Sequence, residues 1–314
     1  MKKLFLMLIA AAVGTLSVFA QNSLVATLQH GSNIQAFYGD DALSSAHTAA
    51  VDGDIITLST GSFNSCNITK AITLRGEGIG KTKLKSNITF TIPHGSACSL
   101  KLEGLELWNI NIYVYGTDGT EKAILSKCLW GSPYAGVSGP CFYNCNATIV
   151  QCRTMGRGSV YAGENSNITC LNSEFNQISS YYDLGRFDIQ NCILEGISNS
   201  IMNSSIKNCI VSGTTSLDAS NISSHCLVKN GSGYANSWDV DSWDSIIEGG
   251  WDMNGTCHLT ETAAAIYLGT DGTQLGIYGG MYPYDETVSY PLVKTFDVIG
   301  SHKNGKLNIK INVE

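Results

Sequence analysis

Between Cys128 and Cys192 the chain gathers Tyr134, Phe142, Tyr143, Arg157, Tyr161, Tyr181, Tyr182, Asp183 and Arg186. Three of its four arginines, Arg153, Arg157 and Arg186, fall in this stretch. Aromatic rings offer flat faces to the C–H faces of sugars, and Arg and Asp side chains orient hydroxyls or carboxylates. The combination suits carbohydrate recognition, with Tyr134, Tyr161, Tyr181, Tyr182 and Arg186 as contact residues. The alternative is that the same residues sit in surface loops packed on the body of the protein.

A second cluster runs from Tyr234 to Asp252 and contains Trp238, Asp239, Asp241, Trp243, Asp244 and Trp251. Asp239, Asp241 and Asp244 carry the hard oxygen ligands that calcium prefers. Their spacing lacks the glycine turn of an EF-hand loop. Trp238 and Trp243 would equally serve a sugar-facing patch or a partner surface. No Cys-x-x-Cys pair and no histidine cluster points to zinc.

These residues hang on a repeat. One position recurs as Leu105, Cys128, Cys152, Ser173, Cys192, Cys209 and Cys226, at steps of 17 to 24 residues. Three residues earlier stand Leu102, Leu125, Ile149, Cys170, Ile189 and Ile206; five earlier, Leu100, Ala123, Ala147, Ile168, Phe187 and Ser204. Two residues later stand Leu107, Trp130, Thr154, Phe175, Leu194, Val211 and Val228. Each run alternates with period two, as a half-buried strand does. The position just after the repeated slot carries Glu106, Arg153 and Glu174, and is expected to face water. Parity breaks just before the slot, at Gly104, Lys127, Gln151, Asn172, Asn191 and Asn208. Asn and Gly tolerate a left-handed backbone there. The copy from Asn221 to Val228 is shifted by one residue in its first half. Self-similarity near 20 residues means a solenoid, and inserts entering at one corner of successive rungs must stack in space.

A strand, a one-residue bend and a second strand is how a right-handed parallel β-helix turns its corner, and the chain resembles the pectate-lyase-like superfamily of that fold. More narrowly it resembles secreted bacterial β-helix proteins that open with an Ala-rich helix and a Gly-Asp-Ile-Ile-Thr-Leu strand, here Ala42 to Ala50 and Gly53 to Leu58. Their closing stretch is similar to Gly269 to Gly280. The resemblance spans roughly residues 40 to 284 and implies an all-β solenoid of ten or more rungs. Its enzymes include lyases, which abstract a proton beside a uronate carboxylate, often with calcium. In that role the candidates are Arg157 or Arg186 as base or neutraliser and Asp183 and Asp188 as acidic partners. The Asn-Thr-Asp and Gly-His-Gly signatures of the related hydrolases do not occur, and the one Asp-Asp is Asp40-Asp41. The superfamily also holds adhesins and plain scaffolds, so it specifies fold more than function.

The expected organisation is a signal peptide at 1–20, a strand and capping helix at 21–52, the β-helix at 53–284 and a C-terminal hairpin or cap at 285–314. Lys2 and Lys3, the apolar run from Leu4 and Val18-Phe19-Ala20 have the charge, core and cleavage pattern of an export signal. This implies a bacterial protein of the periplasm, cell surface or medium, with no transmembrane segment in the mature chain. His47, on the capping helix, is expected at the surface. Gly-Thr-Asp-Gly-Thr, at 116–120 and 269–273, reads as a tight turn. The tail around Asn304-Gly305 has a hairpin signal. The net charge of −7 argues against nucleic acid as partner. The 11 cysteines are odd in number, and most fall in the inward slot. Stacked strands are about 4.8 Å apart and their side chains point the same way, which suits buried free thiols rather than disulfides. Cys141 and Cys145, outside the slot, are the better disulfide candidates. The favoured function is an exported β-helix with a carbohydrate- or surface-binding face and no cofactor; alternatives are a polysaccharide lyase and a purely structural surface protein.

Overall fold

The computed structural model describes residues 24–108, 110–132, 139–180, 184–198, 200–213, 216–252, 257–287, 293–298 and 309–313. The expected signal peptide, Tyr134, Tyr181, Tyr182, Asp183 and the Asn304-Gly305 turn lie outside them. The chain forms a right-handed-type parallel β-solenoid of about 8 turns. The repeat is expected to give ten or more rungs. In the structure Thr73–Arg75, Thr82–Leu84 and Ile88–Thr91 are successive strands on separate stacks.

One face is an eleven-stranded sheet, whose nine parallel strands run from Ile55–Leu58 to Ile222–Ser224. The hairpin Val25–His30/Asn33–Tyr38 adds to its first strand in antiparallel fashion. A second face of ten strands continues into a branch of four, Ile88–Thr91, Ile112–Tyr115, Pro140–Tyr143 and Ser159–Ala162. These four stack in parallel, and Pro140–Tyr143 and Ser159–Ala162 belong to the lengthened rungs between Cys128 and Cys192. The seven-residue strand Glu174–Ser180 pairs with both Arg153–Gly156 and Ser159–Ala162, and so joins the branch to the second face.

The inward slots hold. Leu102, Leu125, Ile149, Cys170, Ile189 and Ile206 stack in register and are fully buried. Burying an Ile or Leu of this kind contributes about 1.5–3 kcal/mol. Trp130 stacks on Phe175 at 6.0 Å, and its indole N–H donates to the Ser159 carbonyl. The bend before each slot is left-handed at Gly104, Lys127, Gln151, Asn172, Asn191, Asn208 and also His225. In the shifted copy Ser223 takes the inward position opposite Ile206, and Ile222 is 68% exposed. All 11 cysteines are free, Cys141 and Cys145 included.

Two expectations fail. His47 is buried where the helix Ala42–Ala49 packs on the first strands, and its Nε2 accepts the Thr69 N–H at 3.1 Å. Burial, then the charge of Lys70, lowers its pKa. The slot expected to face water is covered instead. Glu174, Ile193, Ile210 and Leu227 are buried there. The last three form a second core with Trp243, Ile246, Ile247, Leu259, Leu275 and Ile277 from the segment that folds back after the last rung. Among the described residues, no helix is long and apolar enough to cross a membrane. Val293–Val298 and Ile309–Val313 form a separate antiparallel pair.

Candidate functional site

The inserts bring part of the expected contact set together. Gly156, Arg157, Ser159, Tyr161, Asn176, Gln177, Glu195 and Gly196 line one cleft of about 390 Å³. The residues come from three successive rungs. The local fold explains the grouping: the chain leaves the inward slot at Thr154, turns at Gly156 with φ +62, and re-enters a strand at Ser159. Gly158 fits because a Cβ there would come within 2.6 Å of the Thr154 side chain.

Asn176 is held from two sides. Thr154 Oγ1 donates to its Oδ1 at 2.9 Å, and its Nδ2 donates to Glu195 Oε2 at 2.6 Å. Arg157 is exposed, and among the described residues its guanidinium has no ion-pair or hydrogen-bond partner. Arg75 and Arg153, by contrast, are committed to Glu103 and Glu174. Among the described residues the cleft therefore offers an unpaired guanidinium, a carboxylate, two amides and a phenol ring. Its volume is in the range of small-ligand sites. Asn176, Gln177 and Glu195 were missed in the sequence. They sit just past the last inward slot of their rungs, at the corner where the inserts begin, which was the available signal.

The other tyrosines of this face are stacked on one another. Tyr115 and Tyr143 rings lie 5.2 Å apart at 14°, and Tyr113 is 6.2 Å from Tyr115 at 15°. A Cβ at Gly163 would meet the Tyr143 ring at 2.4 Å. Tyr115 and Tyr143 are register partners on neighbouring strands, and Tyr113 lies two residues before Tyr115 on the same strand. The Tyr115–Tyr143 pair stabilises the stack, as cross-strand aromatic pairs do.

The remaining candidates do not join the cleft. Arg186 and Asp188 lie on Arg186–Gln190 of the eleven-stranded sheet, and Asp188 accepts from Gln190 Nε2 at 3.3 Å. Trp243 is 4% exposed inside the second core, which leaves its ring no open face. Trp238 is half-buried, edge-on to Tyr267 at 5.7 Å. Asp239, Asp241 and Asp244 are exposed, and they are not among the groups that bring three ligand atoms within 4.8 Å of one another. The one such group among the described residues is His94, Asp118 and Glu121. Burial raises Glu121, but the N–H groups of Thr117, Glu121 itself and Asp118, and then His94, bring it down to about 2. That carboxylate closes the Gly116–Thr120 turn, in which Asp118 accepts from the Thr120 N–H and hydroxyl at 3.0 and 2.6 Å. Asp271 repeats the same contact with Thr273 at 3.0 and 2.7 Å. Both copies are tight turns.

No protein-family profile matches the chain, and no match was found among curated proteins or solved structures.

Proposed function

We propose that this chain is an exported β-solenoid of pectate-lyase-like kind that binds a carbohydrate in the Arg157–Tyr161–Glu195 cleft. The observation that carries the reading is the convergence there of Arg157, which has no partner among the described residues, with Tyr161, Asn176, Gln177 and Glu195. Sugars present vicinal hydroxyls that both donate and accept. Paired amides and a carboxylate fixed by a neighbour meet them with little ordering cost. Tyr161 supplies a ring, and Arg157 a fork for an acceptor group. The rigid, stacked rungs hold these groups at fixed spacing, and no cofactor is invoked. The export signal expected at residues 1–20 supports the reading, because such polymers lie outside the cytoplasm.

The lyase reading keeps only Arg157 of its four residues in the cleft. Arg186 and Asp188 are on the other sheet, and Asp183 lies outside the described residues. Screening the purified chain on a glycan array, with an ultraviolet absorbance assay for unsaturated uronate products, separates the two. Binding without product supports the binder. Product formation overturns it in favour of the lyase, and neither signal leaves a structural surface protein.

A further inference from the structure

The left-handed corner residues do more than turn the chain. Their side chains form a ladder, and residues 269–287 run down it. Asn208 Oδ1 accepts the Thr270 N–H at 2.9 Å, and the Asn208 carbonyl accepts the Gly276 N–H at 3.0 Å. Asn172 Nδ2 donates to the carbonyls of Ile277 and Gly279 at 2.9 and 2.6 Å. Gly280 lies against Asn191 so closely that a Cβ would come within 2.8 Å of its amide carbon. Gln151 Nε2 donates to the Pro283 carbonyl at 2.6 Å, and Lys127 Nζ donates to the Thr287 carbonyl. The next corner up the stack is Gly104, which has no side chain to offer. The polar corners are thus those the segment crosses, together with His225 beyond its start.

Beneath this strap lies a charged cluster that the proposed binding cleft does not use. Glu174 is fully buried. Its Oε2 accepts from Arg153 Nε at 2.9 Å, and among the described residues its Oε1 has no hydrogen-bond partner. Arg153 also reaches Glu286 at 3.4 Å and lies 5.8 Å from the centroid of Tyr284, both on the strap. Asp252, Cys257, Tyr278 and Glu286 complete the ionisable surroundings of Glu174. His258 stacks on Tyr278 at 3.9 Å.

We propose that residues 269–287 are a pH-sensitive strap, closed over the outer face of the second sheet in acid and loosened in alkali, with Glu174 as the titrating group. An ionised Glu174 in this place has one cation and two nearby carboxylates, Asp252 and Glu286. Burial comes first in raising it to about 7, with Arg153 opposing and the two carboxylates adding. The closed state therefore holds the proton more tightly than the open one, where Glu174 meets water. Strap closure is fully favoured below the ordinary carboxylate range and is lost as pH rises through about 7.

The test is hydrogen–deuterium exchange of the full chain at pH 5 and pH 8.5, corrected for intrinsic amide exchange. Protection of Thr270 and Gly276 is measured relative to the rung amide of Lys127, which donates to the Val150 carbonyl. The expected drop in relative strap protection is on the order of a hundredfold between the two pH values. In Glu174→Gln the ratio should fall to about one, since that side chain is neutral throughout. Gln151→Ala should lower protection equally at both pH values and keep the ratio. An unchanged wild-type ratio overturns the proposal, whether or not Glu174→Gln folds. A full pH response in a folded Glu174→Gln also overturns it, because another group then titrates.

Discussion

Replacing Asn208 separates the two tasks of a corner residue. Asn208 has φ +56, and its amide carries the contacts to Thr270. In Asn208→Ala the left-handed backbone costs about 1–2 kcal/mol. The Thr270 N–H loses its acceptor, which adds about 1 kcal/mol. The total is about 2–3 kcal/mol. Asn208→Gly loses the same contact but adopts the backbone freely, against an unfolded-state entropy cost of about 0.5–1 kcal/mol. Glycine should therefore be the milder change by about 0.5–1 kcal/mol. Urea unfolding followed by far-ultraviolet circular dichroism reads this directly. For a slope of about 3 kcal/mol/M, the alanine variant should lose just under about 1 M in midpoint. A glycine variant less stable than the alanine one, or an alanine variant as stable as wild type, would refute the corner reasoning.

Ile189→Asp should destabilise severely, because it buries an unpaired charge in the central column, while the neighbouring Gln190→Asp should cost less than about 1 kcal/mol; equal melting temperatures would contradict the inward assignment. Denatured, unreduced protein should titrate all 11 thiols, and two or fewer would overturn the free-thiol column. The native thiols of Cys66, Cys141, Cys145 and Cys257 should label slowly at pH 8, since burial raises Cys66, Cys141 and Cys257 to about 11 and Cys145 to about 12.

The parallel rungs were legible because each repeats its inward positions and its bend. Even the shifted copy at Asn221–Val228 could be read, since Ile222 has no partner parity and turns outward. The covered outer slot was misread. Glu106, Arg153 and Glu174 look like surface residues, yet from Cys192 onward the same slot turns apolar, at Ile193, Ile210 and Leu227. That change announces a covering layer. What covers it could not be read from periodicity, because residues 241–252 and 257–287 do not repeat and dock by long-range contacts. The corner asparagines were explained fully by their backbone, so their side-chain hold on the strap left no separate signal. Two of the eight residues of the candidate site, Arg157 and Tyr161, followed from stacked inserts. Trp243 did not follow, because an aromatic among carboxylates reads the same whether it faces a sugar or fills a core.

The most direct measurement is glycan-array binding by the wild-type chain and by Arg157→Ala/Tyr161→Ala. Tyr161 is half-buried and Arg157 exposed, so the double variant should melt within a few degrees of wild type. Aromatic and arginine anchors carry most of the binding energy at such faces, and the variant should lose at least about tenfold in affinity for any glycan the wild type holds. A folded variant that binds as tightly as wild type would contradict the account.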